Sequence, residues 1–139
     1  TDPNDTVGRS RKGGPRTISA PQGGAKHRAP RPGGCHRRHP AIGYDLLKGV
    51  SGISPETLDG VRHHHEYLDG SGYPDGLSGS QISDLVRLLT ISDIFAALVE
   101  ARPYKPPMAR QDAYQILCGM EGKLEGALLR AFRKVALAA

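Results

Sequence analysis

Apolar residues recur at helical spacing from His39 onward, and before that point no period can be found. Ile42, Leu46, Leu47 and Val50 make one face of a short helix. A loop containing Gly52 follows. Ser54-Pro55-Glu56 is a strong helix start: a hydroxyl to cap, a proline for the first turn, a carboxylate at the positive end of the dipole. Leu58, Val61, His65 and Leu68 then share a stripe, which predicts a helix to about Leu68. Residues 69–79 are dense in turn formers and predict a loop. Ser80 is expected to cap a long helix to about Ala101, with Ile82, Leu85, Val86, Leu89, Ala96 and Val99 as core positions. Prolines at 103, 106 and 107 break it. Two further helices are predicted, from about Arg110 to Met120 on Ala113, Leu117 and Met120, and from about Lys123 to Val135 on Leu124, Leu128, Ala131 and Phe132. No strand and no repeat is legible. The expected fold is all-α, with five helices.

Composition divides the chain. Over 139 residues the hydrophobic content is 37 % and the aromatic content 5 %, with no Trp, which is lean for one globular core. Residues 1–38 hold nine Lys/Arg against two Asp/Glu, together with seven Gly and five Pro; their only sizeable apolar side chains are Val7 and Ile18. Such a segment cannot bury enough apolar area to offset its ordering entropy, so a disordered basic tail over 1–38 is expected, ahead of a domain over 39–139. The net charge of +5 is therefore a property of the tail. An Arg-rich tail can bind nucleic acid, but no aromatic is interleaved to stack a base, and a solvated tail is the expected state. Two cysteines are too few for a disulfide framework. No apolar run reaches the roughly 20 residues of a membrane span, and no signal peptide is legible; a soluble, cytoplasmic protein is expected.

The chemistry lies where polar residues interrupt the apolar stripes. His63-His64-His65-Glu66 places histidines on or beside a face that the pattern buries. A lone core histidine is more often structural. Several together point to metal or catalytic use, because imidazole is a common ligand for Fe, Mn, Zn and Ni. Neighbouring helical side chains point about 100° apart, so adjacent histidines on a helix suit two ions better than one. His63 is expected to face solvent. Asp93 lies on the stripe of Val86, Leu89 and Ala97, where an unpaired carboxylate is costly and needs a cation or an ion-pair partner. His39 stands before a proline at a helix start, from which a side chain can cross a cleft. Arg102 and Lys105 follow the Asp93 helix; they can bind phosphate or be ordinary surface cations.

These residues resemble a known family. His64-His65-Glu66 with Asp69-Gly70-Ser71-Gly72-Tyr73-Pro74 and Gly76-Leu77 resembles the "HHE…DGSGYP…GL" string of HD-GYP domains. Asp93-Ile94-Phe95-Ala96-Ala97-Leu98 and Arg102-Pro103-Tyr104-Lys105 resemble the blocks that follow, and His39-Pro40 with Gly43 and Leu46-Leu47 the block that precedes. The resemblance runs from His39 to about Phe132. It implies an all-helical HD-type bundle and a phosphodiesterase of cyclic di-GMP with two or three iron or manganese ions. By resemblance, His39, His64, His65 and Asp93 are metal ligands, and Arg102 and Lys105 hold phosphate. By the same resemblance, Gly72-Tyr73-Pro74 would lie beside the substrate cleft and dock diguanylate cyclase domains. The family's His-Asp dyad and its following Lys are not found upstream, and no His-Asp pair occurs anywhere in this sequence. An impaired enzyme is therefore expected, with an open apolar face that leads to dimerisation or poor solubility. The alternative is a non-catalytic module that binds nucleotide or docks a protein through the Gly72-Tyr73-Pro74 loop.

Overall fold

The computed structural model describes residues 37–138, so the expected tail lies outside it except for Arg37 and Arg38. Five α-helices follow in order: α1 (His39–Leu47), α2 (Pro55–His63), α3 (Asp84–Val99), α4 (Arg110–Cys118) and α5 (Gly126–Ala136). Among the described residues there is no strand; the only extended pairings are single bridges, Asp69 with Ser78 and Arg102 with Lys105. The fold is all-α, as the periodicity predicts. α1 packs on α2, α2 on α3, and α3 on both α4 and α5, which also pack on each other.

Helix α2 begins as its sequence dictates. Ser54 Oγ accepts from the Thr57 N–H at 3.1 Å, and Pro55 occupies the first turn. It ends at His63, however, five residues before the expected Leu68. The His64 ring turns back onto the last turn, with Nδ1 2.9 Å from the Val61 carbonyl and 3.1 Å from that of Gly60. Beyond it, Leu68 gives its N–H to Lys123 O in the α4–α5 connection instead of to a helical carbonyl. His64 and His65 therefore sit in the turn after α2, not on a helical stripe.

Helix α3 starts at Asp84 rather than after Ser80. Ser80 lies in a 3₁₀ turn over Gly79–Gln81, closed by the Ser78 N–H to Gln81 Oε1 bond at 3.0 Å. Ile82 is extended and only 3 % exposed, so its burial interrupts the helix, and Ser83 supplies the cap. Arg87 ties the connection down through the carbonyls of Ile82 and Gly79 and through Glu125. The buried face is Val86, Thr90, Ile91 and Phe95; of the expected core residues, Leu85, Leu89 and Ala96 are exposed. The last helix also starts later, at Gly126 behind Glu125, and buries Leu129, Phe132 and Ala136, leaving Ala131 outside.

The core lies among the last three helices. Ile91 and Phe95 of α3 meet Ala113, Tyr114 and Leu117 of α4 and Leu129 and Phe132 of α5; Leu124 closes one end. Phe95 and Phe132 meet edge to face at 5.3 Å, and the Tyr114 hydroxyl donates to Leu129 O at 3.2 Å. On the opposite side the apolar face is open. Ile42, Leu46 and Val50 around α1 and Leu85, Leu88 and Leu89 on α3 are all exposed. Packing inverts the simple pattern there, because no described element covers that side.

Candidate metal centre

Between α1, α2 and α3 lies a cleft of ≈ 680 Å³, lined by the apolar Val61, Leu85, Leu88 and Leu89 and by polar residues that include His39, Glu56, His64 and Asp93. The start of α1 delivers His39, and the turn after α2 delivers His64 and His65. The Nε2 atom of His39 is 3.0 Å from that of His64 and 3.2 Å from that of His65. The three rings offer nitrogens that all lie within 4.8 Å of one another. The adjacent pair thus converges on one point. The expectation that His64 and His65 would diverge assumed a helix, and α2 has already ended.

The carbonyls of Gly60 and Val61 can only accept, so His64 Nδ1 carries a proton, and His64 Nε2 lies 3.0 Å from that of His39. Burial depresses the His65 pKa, and His64 and His39 depress it further against the opposing pull of Asp93, which favours a neutral imidazole. Three imidazoles at such spacing are a donor set that fits a divalent cation. Asp93 is half-buried in the same cleft but is not one of the three converging groups.

The 69–78 loop folds back under these histidines. Gly72 lies so close to the 65–67 backbone that a Cβ would stand 2.5 Å from Glu66 Cα and from His65 O. Tyr73 donates its N–H to His65 O at 3.1 Å and lays its ring on the His65 imidazole, with centroids 4.9 Å apart and planes 21° from parallel. The Arg37 guanidinium covers that ring at 5.1 Å, and the Tyr73–Pro74 bond is cis. Burial raises the pKa of both Tyr73 and nearby Tyr67, so both keep their hydroxyl protons. Gly72→Ala is expected to force the loop away from the histidine turn at a cost of about 1–3 kcal/mol. Urea unfolding measures it, and an unchanged midpoint would contradict the close approach.

His63 is not solvent-facing as expected. Its Nδ1 lies 2.6 Å from Asp59 and its Nε2 2.8 Å from Asp75. Asp75 also takes two bonds from Arg62, at 2.7 and 2.9 Å. The Arg62 bonds first, and His63 after them, hold the Asp75 carboxyl down at about 2. A depressed carboxylate stabilises the fold above its unfolded pKa, near 4, and loses that contribution as pH falls through about 2. The urea midpoint is therefore expected to drop between pH 4 and pH 2 by an increment that Asp75→Asn lacks. Equal acid limbs in the two proteins would refute the linkage. Nothing in the periodicity marks this network, since its members meet across a loop.

Arg102 and Lys105 pair with each other's backbone in a tight turn after α3, at 3.1 and 3.0 Å. Arg102 reaches Glu100 at 3.5 Å, Lys105 caps α3 at Ala97 O at 3.5 Å, and Tyr104 is fully exposed between them. Neither cation lines the cleft that holds His39, His64 and Asp93.

Comparison with known proteins agrees with the strings that the sequence carries. The HD-domain family model matches residues 33–128. The chain is 44 % identical over 90 residues to the cyclic di-GMP phosphodiesterase response regulator RpfG of Xanthomonas campestris, covering 63 % of this chain and 24 % of that protein. It is 37 % identical over 101 residues to a cyclic di-GMP phosphodiesterase of Pseudomonas aeruginosa, covering 73 % of this chain and 24 % of that one. It is 40 % identical over 83 residues to the 3'3'-cGAMP-specific phosphodiesterase 1 of Vibrio cholerae, covering 60 % and 19 % respectively. The chain thus spans about a quarter or less of the length of these relatives. Among the described residues no helix is long and apolar enough to cross a membrane. An HD domain implies a divalent cation, and the histidine cluster provides donors for one. With its model matched from residue 33 to 128 and the HD-GYP blocks in order, this chain belongs to the HD-domain family.

Proposed function

We propose that the chain is the metal-binding portion of a cyclic dinucleotide phosphodiesterase, with cyclic di-GMP as substrate and iron or manganese as the metal. The observation that carries the reading is the convergence of the His39, His64 and His65 nitrogens beside the cleft that His39 and His64 line. His39, His64 and His65 would hold the cation, with Asp93 from the facing helix. A bound divalent cation supplies a Lewis acid for a phosphoryl oxygen and an acidified water. Gly60 and Val61 fix the His64 tautomer through their carbonyls, and Tyr73 shields one face of His65. Arg102 and Lys105, which the HD-GYP resemblance assigns to phosphate, would hold the phosphates; their present partners are an exposed carboxylate and a helix end, both cheap to exchange. The printed names of the relatives support a cyclic dinucleotide. These 139 residues hold no His-Asp pair, and the turnover proposed for them by themselves is slow.

The test is hydrolysis of cyclic di-GMP by the Mn²⁺- or Fe²⁺-loaded chain, followed by chromatography of the products. Slow turnover that disappears in His64→Ala/His65→Ala is the expected result. No turnover at metal saturation refutes it. The exposed apolar side chains of α1 and α3 favour a second reading, a non-catalytic module that binds nucleotide, a diguanylate cyclase domain or a second copy. It predicts binding without turnover, and binding lost in Tyr73→Ala.

A further inference from the structure

We infer that Glu66 is the positioning residue of the histidine centre: through the 72–77 loop it holds the Tyr73 ring on His65 and so fixes the direction of that imidazole. Position and chemistry suggest otherwise at first sight, since a carboxylate directly after two histidines invites the role of ligand or base. Its geometry assigns another task. Glu66 is 2 % exposed, and its oxygens are occupied by three consecutive backbone N–H groups. Oε1 accepts from Asp75 at 2.7 Å and from Gly76 at 3.1 Å, and Oε2 accepts from Leu77 at 3.1 Å. A buried charge with its lone pairs committed in this way is a fastener.

What it fastens is specific. His64 is oriented by two carbonyls, but among the described residues no hydrogen bond holds His65 Nδ1. The His65 ring rests on Tyr73, and Tyr73 is placed by its own N–H bond to His65 O and by the close seating of Gly72. Both lie on the loop that Glu66 clamps from its far side. The two histidines thus have different supports: His64 a helix end, His65 a loop whose backbone Glu66 clamps, while Arg62 and His63 hold the Asp75 side chain of the same loop.

The inference rests on the metal-site reading only for its consequence on affinity, and the test separates the two. Glu66→Gln keeps the shape but offers one acceptor oxygen in place of two. In the labelled full chain, amide exchange at Gly76 and Leu77 is expected to quicken at least tenfold, and the nuclear Overhauser contact between the His65 and Tyr73 rings to vanish. Mn²⁺ affinity, read from the signal of the free ion, is expected to fall by about tenfold, the loss typical of a residue that orients a ligand. Leu129→Ala, which weakens the core, should lower the melting temperature yet leave ring contact and affinity unchanged. Tyr73→Leu should lower affinity by a similar factor with exchange at 76 and 77 unaltered, and it decides the matter if Glu66→Gln does not fold. An unchanged His65 ring environment in Tyr73→Leu overturns the inference, as does a Glu66→Gln protein whose loop opens while the His65–Tyr73 contact persists. If the parent chain binds no Mn²⁺, the metal reading fails, and the ring contacts of the metal-free protein still decide the role of Glu66.

Discussion

A chain carrying His64→Ala and His65→Ala together is expected to bind Mn²⁺ at least about a hundredfold more weakly than the parent. Loss of a residue that merely orients a ligand already costs about 10–100-fold, and here two of the three converging histidines go. Of the three histidines only His39 would remain, with Asp93 lining the same cleft. Titration calorimetry gives the affinity, and circular dichroism gives the fold. The helical signal should persist, because both residues lie beyond α2 and outside the core. Some loss at the end of α2 is expected, since the His64 ring occupies two of its carbonyls. Undiminished affinity would remove these residues from the site.

The largest effect on stability is expected at the other end of the molecule. Leu117 is completely buried among α3, α4 and α5. Leu117→Ala removes apolar contact and leaves a cavity that rigid neighbours fill only in part, at a cost of about 2–5 kcal/mol. For a folded unit of roughly 100 residues that is a fall in melting temperature on the order of 15 °C. A fall of less than about 3 °C would mean that the centre of the core has been misplaced. Where Leu117→Ala still folds, its Mn²⁺ affinity should match that of the parent, because Leu117 belongs to the cluster of α3, α4 and α5, whereas His64 and His65 lie in the turn after α2.

The two variants also mark what could be read from the sequence. The number of helices was legible, because each has its own apolar stripe and several have a cap, Ser54 above all. The ends were less so. Nothing local in His64-His65-Glu66 says that a ring will take the carbonyls of Gly60 and Val61, or that Leu68 will bond to Lys123, 55 residues away along the chain. That one error had a chemical consequence, because adjacent histidines diverge on a helix and converge in this turn. The open face misled in the same way. Leu85 and Leu89 have the spacing of core residues, and their exposure follows from what packs on them, which periodicity does not encode. His39, His64 and His65 could be picked out by residue type and by resemblance. Glu66 stood in the same string with no role, since its partners are main-chain groups that no side-chain pattern announces.

The lopsided core has a bearing on how tightly any ion can be held. One imidazole of the cluster rides on α1, which packs on α2 but contributes nothing to the cluster of buried residues beneath α3, α4 and α5. Segments so placed open more readily than the whole molecule unfolds. Every such opening withdraws His39, so the observed affinity is the intrinsic one multiplied by the fraction of time that α1 is seated. By reciprocity, an ion bridging His39 to the turn after α2 would slow amide exchange along α1 well before it raised the resistance of the three-helix core to denaturant.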